Sequence, residues 1–382
     1  MKQGWEIKKL GEVCEVLNGF AFDSSLFSDD STHIPLIRIR DIKKGYTETF
    51  YKGSFSEDYI IKKGDYLIGM DGEFNIAEWS GINSLLNQRV CKLTVVDNKL
   101  LARYVLWFMP KALKKIEDET PFVTVKHLSS RKLLDVSIPV PPLAEQEHIV
   151  EELDLLSGII EKQKQQLKEY DTLAQSIFYT MFGDPITNEK GWEVLAIDNV
   201  CSSIVRGPFG SALKKDFFVE PSNDTYKVYE QKHAIQKNAT IGTYYISRDM
   251  FKALSRFEVK NGDIIMSCSG TIGEFYEIPN GAEKGIMNQA LLKFTLNSLI
   301  HKSYFLYTME WVKENFEKKG SGLQNIGSVK TIKETSISVP PLTLQQEFAA
   351  KIEAIEKQKE LVKQSLAETE TLFNSRMDYY FN

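Results

Sequence analysis

The stretches VPPLAEQ, residues 140–146, and VPPLTLQ, residues 339–345, say nearly the same thing 199 residues apart. Paired prolines end whatever precedes them, since Pro lacks an N–H and drives the residue before it out of the helical region. A helix-rich composition follows each. Working outward, the echo covers the whole chain. WEIKKLGEVC (5–14) matches WEVLAIDNVC (192–201), KKGDYLI (62–68) matches KNGDIIM (260–266), and LNQRVCKLT (86–94) matches MNQALLKFT (287–295). RYVLWFM (103–109) lines up with SYFLYTM (303–309). Five matches in one order point to a tandem duplication, with the boundaries 1–141, 142–183, 184–339 and 340–382.

Each large segment reads as mixed α and β. HIPLIRIRDI alternates Ile37 and Ile39 with Arg38 and Arg40, the period of a strand with one basic face. Gly-Asp turns feed apolar strands at 62–70 and 260–268, and residues 100–118 and 299–318 read as helices. Short strands, many turns and one long helix make the class α+β.

After Pro142 no proline occurs before Pro185. Apolar residues fall at Ile149, Leu153, Leu156, Ile160, Leu167, Tyr170, Ala174, Ile177 and Met181, stepping 4, 3, 4, then 7 across Gln163, then 3, 4, 3, 4. This is a heptad seam. Adding 199 gives Phe348, Ile352, Ile355, Lys359, Val362, Leu366, Thr369, Phe373, Arg376 and Tyr380, a weaker seam of the same kind. A helix of nearly 40 residues cannot bury its seam alone, and its own duplicate is the economical partner. A duplicated unit tends toward pseudo-two-fold symmetry, which makes the two helices an antiparallel coiled coil. Two separate core helices and a homodimer zipper are the alternatives.

Bulk properties exclude more than they identify. The 382 residues are 42% hydrophobic and 26% charged, ordinary globular values. No apolar run approaches a membrane span, and the N-terminus, which carries Glu6, Glu12 and Glu15 and has no apolar block, does not read as a signal peptide. Cys14, Cys91, Cys201 and Cys268 lack CxxC spacing, which suits a reducing cytoplasm and argues against zinc or disulfides. The net charge of −5 hides a division. Residues 1–141 carry 20 basic and 19 acidic side chains, 184–339 carry 19 and 18, and 142–183 carry 3 and 8. A near-neutral domain can still present a basic face to nucleic acid.

The segments GWEIKKLGEV, IPLIRIRDI, GDYLIGMDGEFN with LNQRV, PPLAEQEHIVEELD, MFGDP, RGPFGSALKKDFF, YKVYEQKHAI, SGTIGEF and PPLTLQQEF resemble the specificity subunits of type I DNA restriction–modification systems. The match runs essentially full length, and the order of two recognition domains and two proline-led helices is its specific part. The resemblance implies a subunit that is not itself catalytic. Each domain would read one half of a bipartite site on double-stranded DNA. The helices would set the gap and dock two methyltransferase subunits, which bring S-adenosylmethionine and modify adenine N6. Restriction subunits are a further implied partner. The chain itself calls for no cofactor. It has no Asn- or Asp-Pro-Pro-aromatic tetrad, no dinucleotide fingerprint, no P-loop and no HExxH.

Candidate DNA contacts in the first domain are Arg38, Arg40, Lys43, Lys44 and Arg89, because Arg forks onto guanine and Lys in a turn suits phosphate. Asp71, Glu73 and Asn75 sit on a Gly-flanked loop, where an acid either accepts from cytosine N4 or orients an arginine. In the second domain the candidates are Arg206, Ser211, Lys214, Lys215, Gln231, Lys232 and Lys237. His233 more often satisfies local structure, and the repeated Asn87–Gln88 and Asn288–Gln289 pairs read as scaffold. Two other functions stay open at this point. One is an adaptor whose coiled coil binds proteins and whose domains ignore DNA; the other is an orphan DNA binder.

Overall fold

Gln146 and Gln345 explain the repeated hinge. The structure, a computed structural model, describes residues 5–119, 126–209, 212–316, 318–319, 325–326 and 328–381. Both glutamines are fully buried. Gln146 Oε1 accepts from Leu101 N at 2.8 Å, and its Nε2 donates to Lys99 O at 2.8 Å and Pro141 O at 2.7 Å. Gln345 makes the same three contacts, to His301 N at 2.7 Å, Leu299 O at 3.2 Å and Pro340 O at 2.8 Å. Each amide thus ties the hinge to the loop entering the domain's own helix, satisfying backbone groups that burial would otherwise strand. The carbonyls of Pro142 and Pro341 accept the first helical hydrogen bonds. Just upstream, Ser137–Val140 pairs antiparallel with Glu6–Lys9, and Ser336–Val339 with Glu193–Ala196. The duplicated WE segment is therefore the strand that pairs with the strand leading into the hinge.

Two compact units are present, Met1–Gln165 with Lys363–Asn382, and Gln166–Val362. The first holds a four-stranded sheet in the order Cys14–Asn18, Val90–Val95, Tyr66–Gly69, Asn75–Glu78. A five-stranded sheet runs Phe27–Ser28, Phe50–Tyr51, Ile34–Ile37, Ser84–Leu86, Ile60–Ile61, with one parallel pair, Ile34–Ile37 beside Ser84–Leu86. The second unit repeats the plan. Its four-stranded sheet is Cys201–Arg206, Leu291–Leu296, Ile264–Ser267, Phe275–Glu277. Its five-stranded sheet is Phe218–Val219, Tyr245–Ser247, Thr225–Tyr229, Gly285–Met287, Glu258–Val259, and the one parallel pair again joins its third and fourth strands. This is the α+β architecture expected. Gly64 and Gly262 take φ of +94° and +82° in the Gly-Asp turns, a region that favours glycine. Gly19 and Gly207 permit a close crossing, since a Cβ there would lie 2.0 Å from Asn87 O and 1.8 Å from Asn288 O.

The long helices run Leu143–Phe182 and Leu342–Phe381, 40 residues each. Within the first unit they pair antiparallel: Arg376 Nη2 donates to Glu152 Oε2 at 2.7 Å, and Gln163 Nε2 to Ser365 Oγ at 2.9 Å. Within the second unit Lys359 meets Asp171 at 2.8 Å, and Phe348 packs on Phe178 and Phe182. Of the expected seam, Ile149, Leu153, Leu156, Ala174, Phe348, Ile352, Ile355 and Tyr380 are buried, and Ile160, Leu167, Ile177, Val362, Leu366 and Phe373 are half-buried. Each unit completes its core with a helix end from elsewhere in the chain. Tyr380 and Phe381 enter the first core, where Phe381 meets Tyr104 and Phe108 with ring centroids 5.6 and 5.8 Å away.

Three expectations need correction. Arg38 and Arg40 do not alternate on a strand, because the strand ends at Ile37 and Ile39–Asp41 turns into a 3-10 helix. Asp41 drives the turn, its carboxylate accepting from Arg38 N at 2.9 Å. The helix expected over 299–318 spans only Lys302–Val312, followed by a 3-10 turn. Near the end of the first long helix, Phe178 and Phe182 are fully buried while Ile177 and Met181 are only half-buried. There the helix packs on a third element as well as its partner, with Phe178 stacked on Tyr304 and Tyr307, so its buried face rotates off the heptad line.

Candidate nucleic-acid interface

In the first unit the 3-10 turn, the Gly72 loop and the Asn87–Gln88–Arg89 segment frame a concavity of about 430 Å³. It is lined by Phe22, Phe27, Arg38, Asp71, Gln88 and Arg89, among others. Arg38, Arg40, Lys43 and Lys44 are all exposed around the turn. Arg40 lies 3.8 Å from Asp41, and Lys43 lies 3.5 Å from Glu73. The two cations are themselves 60% and 62% exposed, which leaves them available to a stronger anion. Arg38 has no ion pair among the described residues. Asn75 belongs to the strand that borders the loop, its Nδ2 donating to Glu73 O at 3.0 Å.

Asp71 is the hub of this site. Its side chain is 10% exposed and faces Arg89 and His127. Oδ2 holds the Arg89 guanidinium, and Oδ1 accepts from His127 Nδ1 at 2.5 Å. Gly72 N also donates to Lys126 O at 2.9 Å and Leu128 N to Met70 O at 2.7 Å, so the 126–128 segment pins the loop. His127 escaped the sequence reading because it is 56 residues away, and only the antiparallel bridge between Asp71 and His127 joins them.

The repeated Asn-Gln pairs divide their duties. Asn87 is buried and its Oδ1 accepts from Gln88 N at 2.9 Å; Asn288 Oδ1 accepts from Ala290 N at 3.0 Å. Gln88 and Gln289 point outward and are exposed.

In the second unit Arg206 ends its strand half-buried, its Nε donating to Gln289 O at 2.9 Å, with its guanidinium 5.6 Å from the Phe209 ring. Phe209, which the sequence reading missed, is 68% exposed. Lys214 and Lys215 are exposed, and Ser211 lies outside the described residues. Gln231 opens a short helix near Gly270, while Lys232 is tied to Glu230 at 2.7 Å. Lys237 is exposed at φ +49°. His233 is structural: it is fully buried, its Nδ1 accepts from Glu230 N at 2.8 Å, and its Nε2 donates to Ile241 O at 2.7 Å. Burial depresses its basicity, keeping the ring neutral. It does for its turn what Asp41 does in the first unit.

Among the described residues no group of His, Cys, Asp and Glu could hold a metal ion, and no helix is long and apolar enough to cross a membrane. A family model described as "Type I restriction modification DNA specificity domain" matches residues 2–169 and again 189–371. The chain belongs to the type I restriction–modification DNA specificity family. The EcoBI specificity subunit of Escherichia coli is 44% identical over 165 residues, covering 43% of this chain and 35% of that one. The EcoAI specificity subunit is 28% identical, and the match spans 31% of its length. The chain therefore spans about a third of these two specificity-family relatives. The MjaVIII specificity subunit of Methanocaldococcus jannaschii aligns over 93% of this chain and 86% of its own, at 20% identity. In fold, the chain is similar to the S subunit of a type I restriction–modification system from M. genitalium. The TM-score is 0.58 at 12% identity, covering 98% of this chain and 95% of that one.

Proposed function

We propose that this chain is the non-catalytic DNA-recognition subunit of a type I restriction–modification assembly. Each unit reads one half of a bipartite target on double-stranded DNA. Residues 142–183 and 340–382 act as the spacer, and methyltransferase subunits, with restriction subunits where the system has them, dock on the protein. The observation that carries this reading is the duplication: two units share both sheet orders, yet the residues framing the exposed end of each four-stranded sheet differ. A shared scaffold with unlike loops suits two readers of unlike sequences. Loops rather than elements carry specificity in such arrangements. Arg38, Arg40, Lys43, Lys44 and Arg89 serve the first half-site. Arg206, Ser211, Lys214, Lys215, Gln231, Lys232 and Lys237 serve the second. Readers one helical turn apart would have half-sites centred on the order of 10 bp from each other.

The test is co-expression with the neighbouring methyltransferase gene. The expected product contains two copies of that partner per chain and shifts duplex DNA, with binding weakened by Arg38→Ala or Arg206→Ala. A chain that ignores the methyltransferase, or binds DNA equally well in both variants, refutes the proposal and favours the adaptor.

A further inference from the structure

The Asp71 hub contains a negative charge that a protein seeking only affinity for DNA would not place there. Phosphate binding gains from every added cation and loses from every carboxylate near it. Asp71 nevertheless sits in the concavity at 10% exposure, against the guanidinium of Arg89. Of its two possible roles, orienting an arginine is the one the geometry supports, since Oδ1 meets His127 and Oδ2 faces the Arg89 guanidinium. The arginine it holds remains 58% exposed. A guanidinium carries five N–H donors in a rigid fork, so one edge can rest on a carboxylate while the other faces outward.

The second unit holds an arginine at the matching end of its four-stranded sheet by a different means. Arg206 ends the strand equivalent to Cys14–Asn18, and its Nε is held by the Gln289 carbonyl at 2.9 Å. Arg89 precedes the neighbouring strand, Val90–Val95. Two unrelated sequence solutions fix an arginine fork at the same end of the sheet, on neighbouring strands.

Resting on the proposed role in DNA recognition, we infer that Asp71 is a positioning residue that presents Arg89 to a guanine in the half-site read by the first unit. His127 braces the carboxylate from its other side. Arg89 is thereby a specificity-determining residue rather than a phosphate contact. A bidentate arginine–guanine pair discriminates by roughly 5- to 150-fold against the wrong base.

The experiment is selection of bound duplexes from a randomised library by the full chain, followed by titration with one unselected duplex. Wild type is expected to return a two-part motif. Asp71→Asn removes the charge and keeps the shape. It should lose the preference for guanine at one position of one half, keep the other half intact, and bind the unselected duplex at least as tightly as wild type. Arg89→Lys, an exposed change that leaves the fold alone, keeps the charge and loses the fork, and should lose the same position. Retention of that guanine by either variant overturns the inference. So does loss of both halves, or weaker binding of unselected DNA by Asp71→Asn, either of which marks Asp71 as merely structural. A wild-type chain that selects no motif overturns the proposed function itself, and this inference with it.

Discussion

Replacing Gln146 with Ala removes three hydrogen bonds at the point where the first domain meets its long helix. The partners differ in what they lose. Lys99 is exposed and its carbonyl can turn to water, whereas Leu101 N and Pro141 O lie beside buried side chains. Each bond contributes about 1 kcal/mol net, and a stranded buried group costs about 1–3 kcal/mol. The substitution should therefore cost about 3 kcal/mol, a large share of the roughly 5–15 kcal/mol that holds a domain folded. Gln146→Glu should cost more, because it removes both donors and places a charge where no cation waits. Hydrogen exchange of peptides spanning 97–110 and 140–156 reads the effect locally, without assuming a single unfolding transition. Gln345→Ala should do the same to 297–308 and 339–355, somewhat more mildly because one of its bonds is 3.2 Å long. A loss below about 0.5 kcal/mol in Gln146→Ala, or Gln146→Glu matching wild type, would refute the claim that this amide locks hinge to domain.

Other expectations are equally direct. Phe381→Ala empties a site shared with Tyr104 and Phe108 and should destabilise the first unit by about 3–5 kcal/mol, measured by urea denaturation. Burial pushes the thiols of Cys14, Cys91, Cys201 and Cys268 up to about 12. None of the four should react with a thiol reagent at pH 8 in the native chain, and all four should in denaturant. The Glu152 carboxylate is held below its usual 4.5, first by its hydrogen bond from Arg376 and then by that from Tyr380. Its stabilisation is present above pH 4.5 and fades as pH falls through the depressed folded value. Glu152→Gln should therefore be less stable than wild type at pH 7, the gap closing in acid; a constant gap would contradict this ion pair.

What the sequence disclosed was periodicity and repetition. The heptad steps from Ile149 to Leu156, the proline hinges and the Gly-Asp turns are local signals, and the structure follows them. The failures have two causes, a side-chain cap that periodicity does not show and packing between residues far apart in sequence. IPLIRIRDI reads as a strand throughout until Asp41 folds back to cap Arg38 N. Phe178 and Phe182 displace Ile177 and Met181 because a helix more than 100 residues later packs on them. Gln146 gives no pattern of its own, since its partners are backbone groups, and only its recurrence at Gln345 marks it. In the candidate interface, the basic residues were visible as types. The Asp71–His127 contact, which organises one of them, was not, because it joins two loops 56 residues apart.

The central claim is that one chain carries two readers of a divided DNA target. Methylome sequencing of a host with its methyltransferase, with and without this gene, tests it most directly. The account predicts that the gene adds one bipartite motif, with methylated adenine on both strands and an unspecified gap between the halves. A contiguous motif, or a methylome indifferent to the gene, would contradict it.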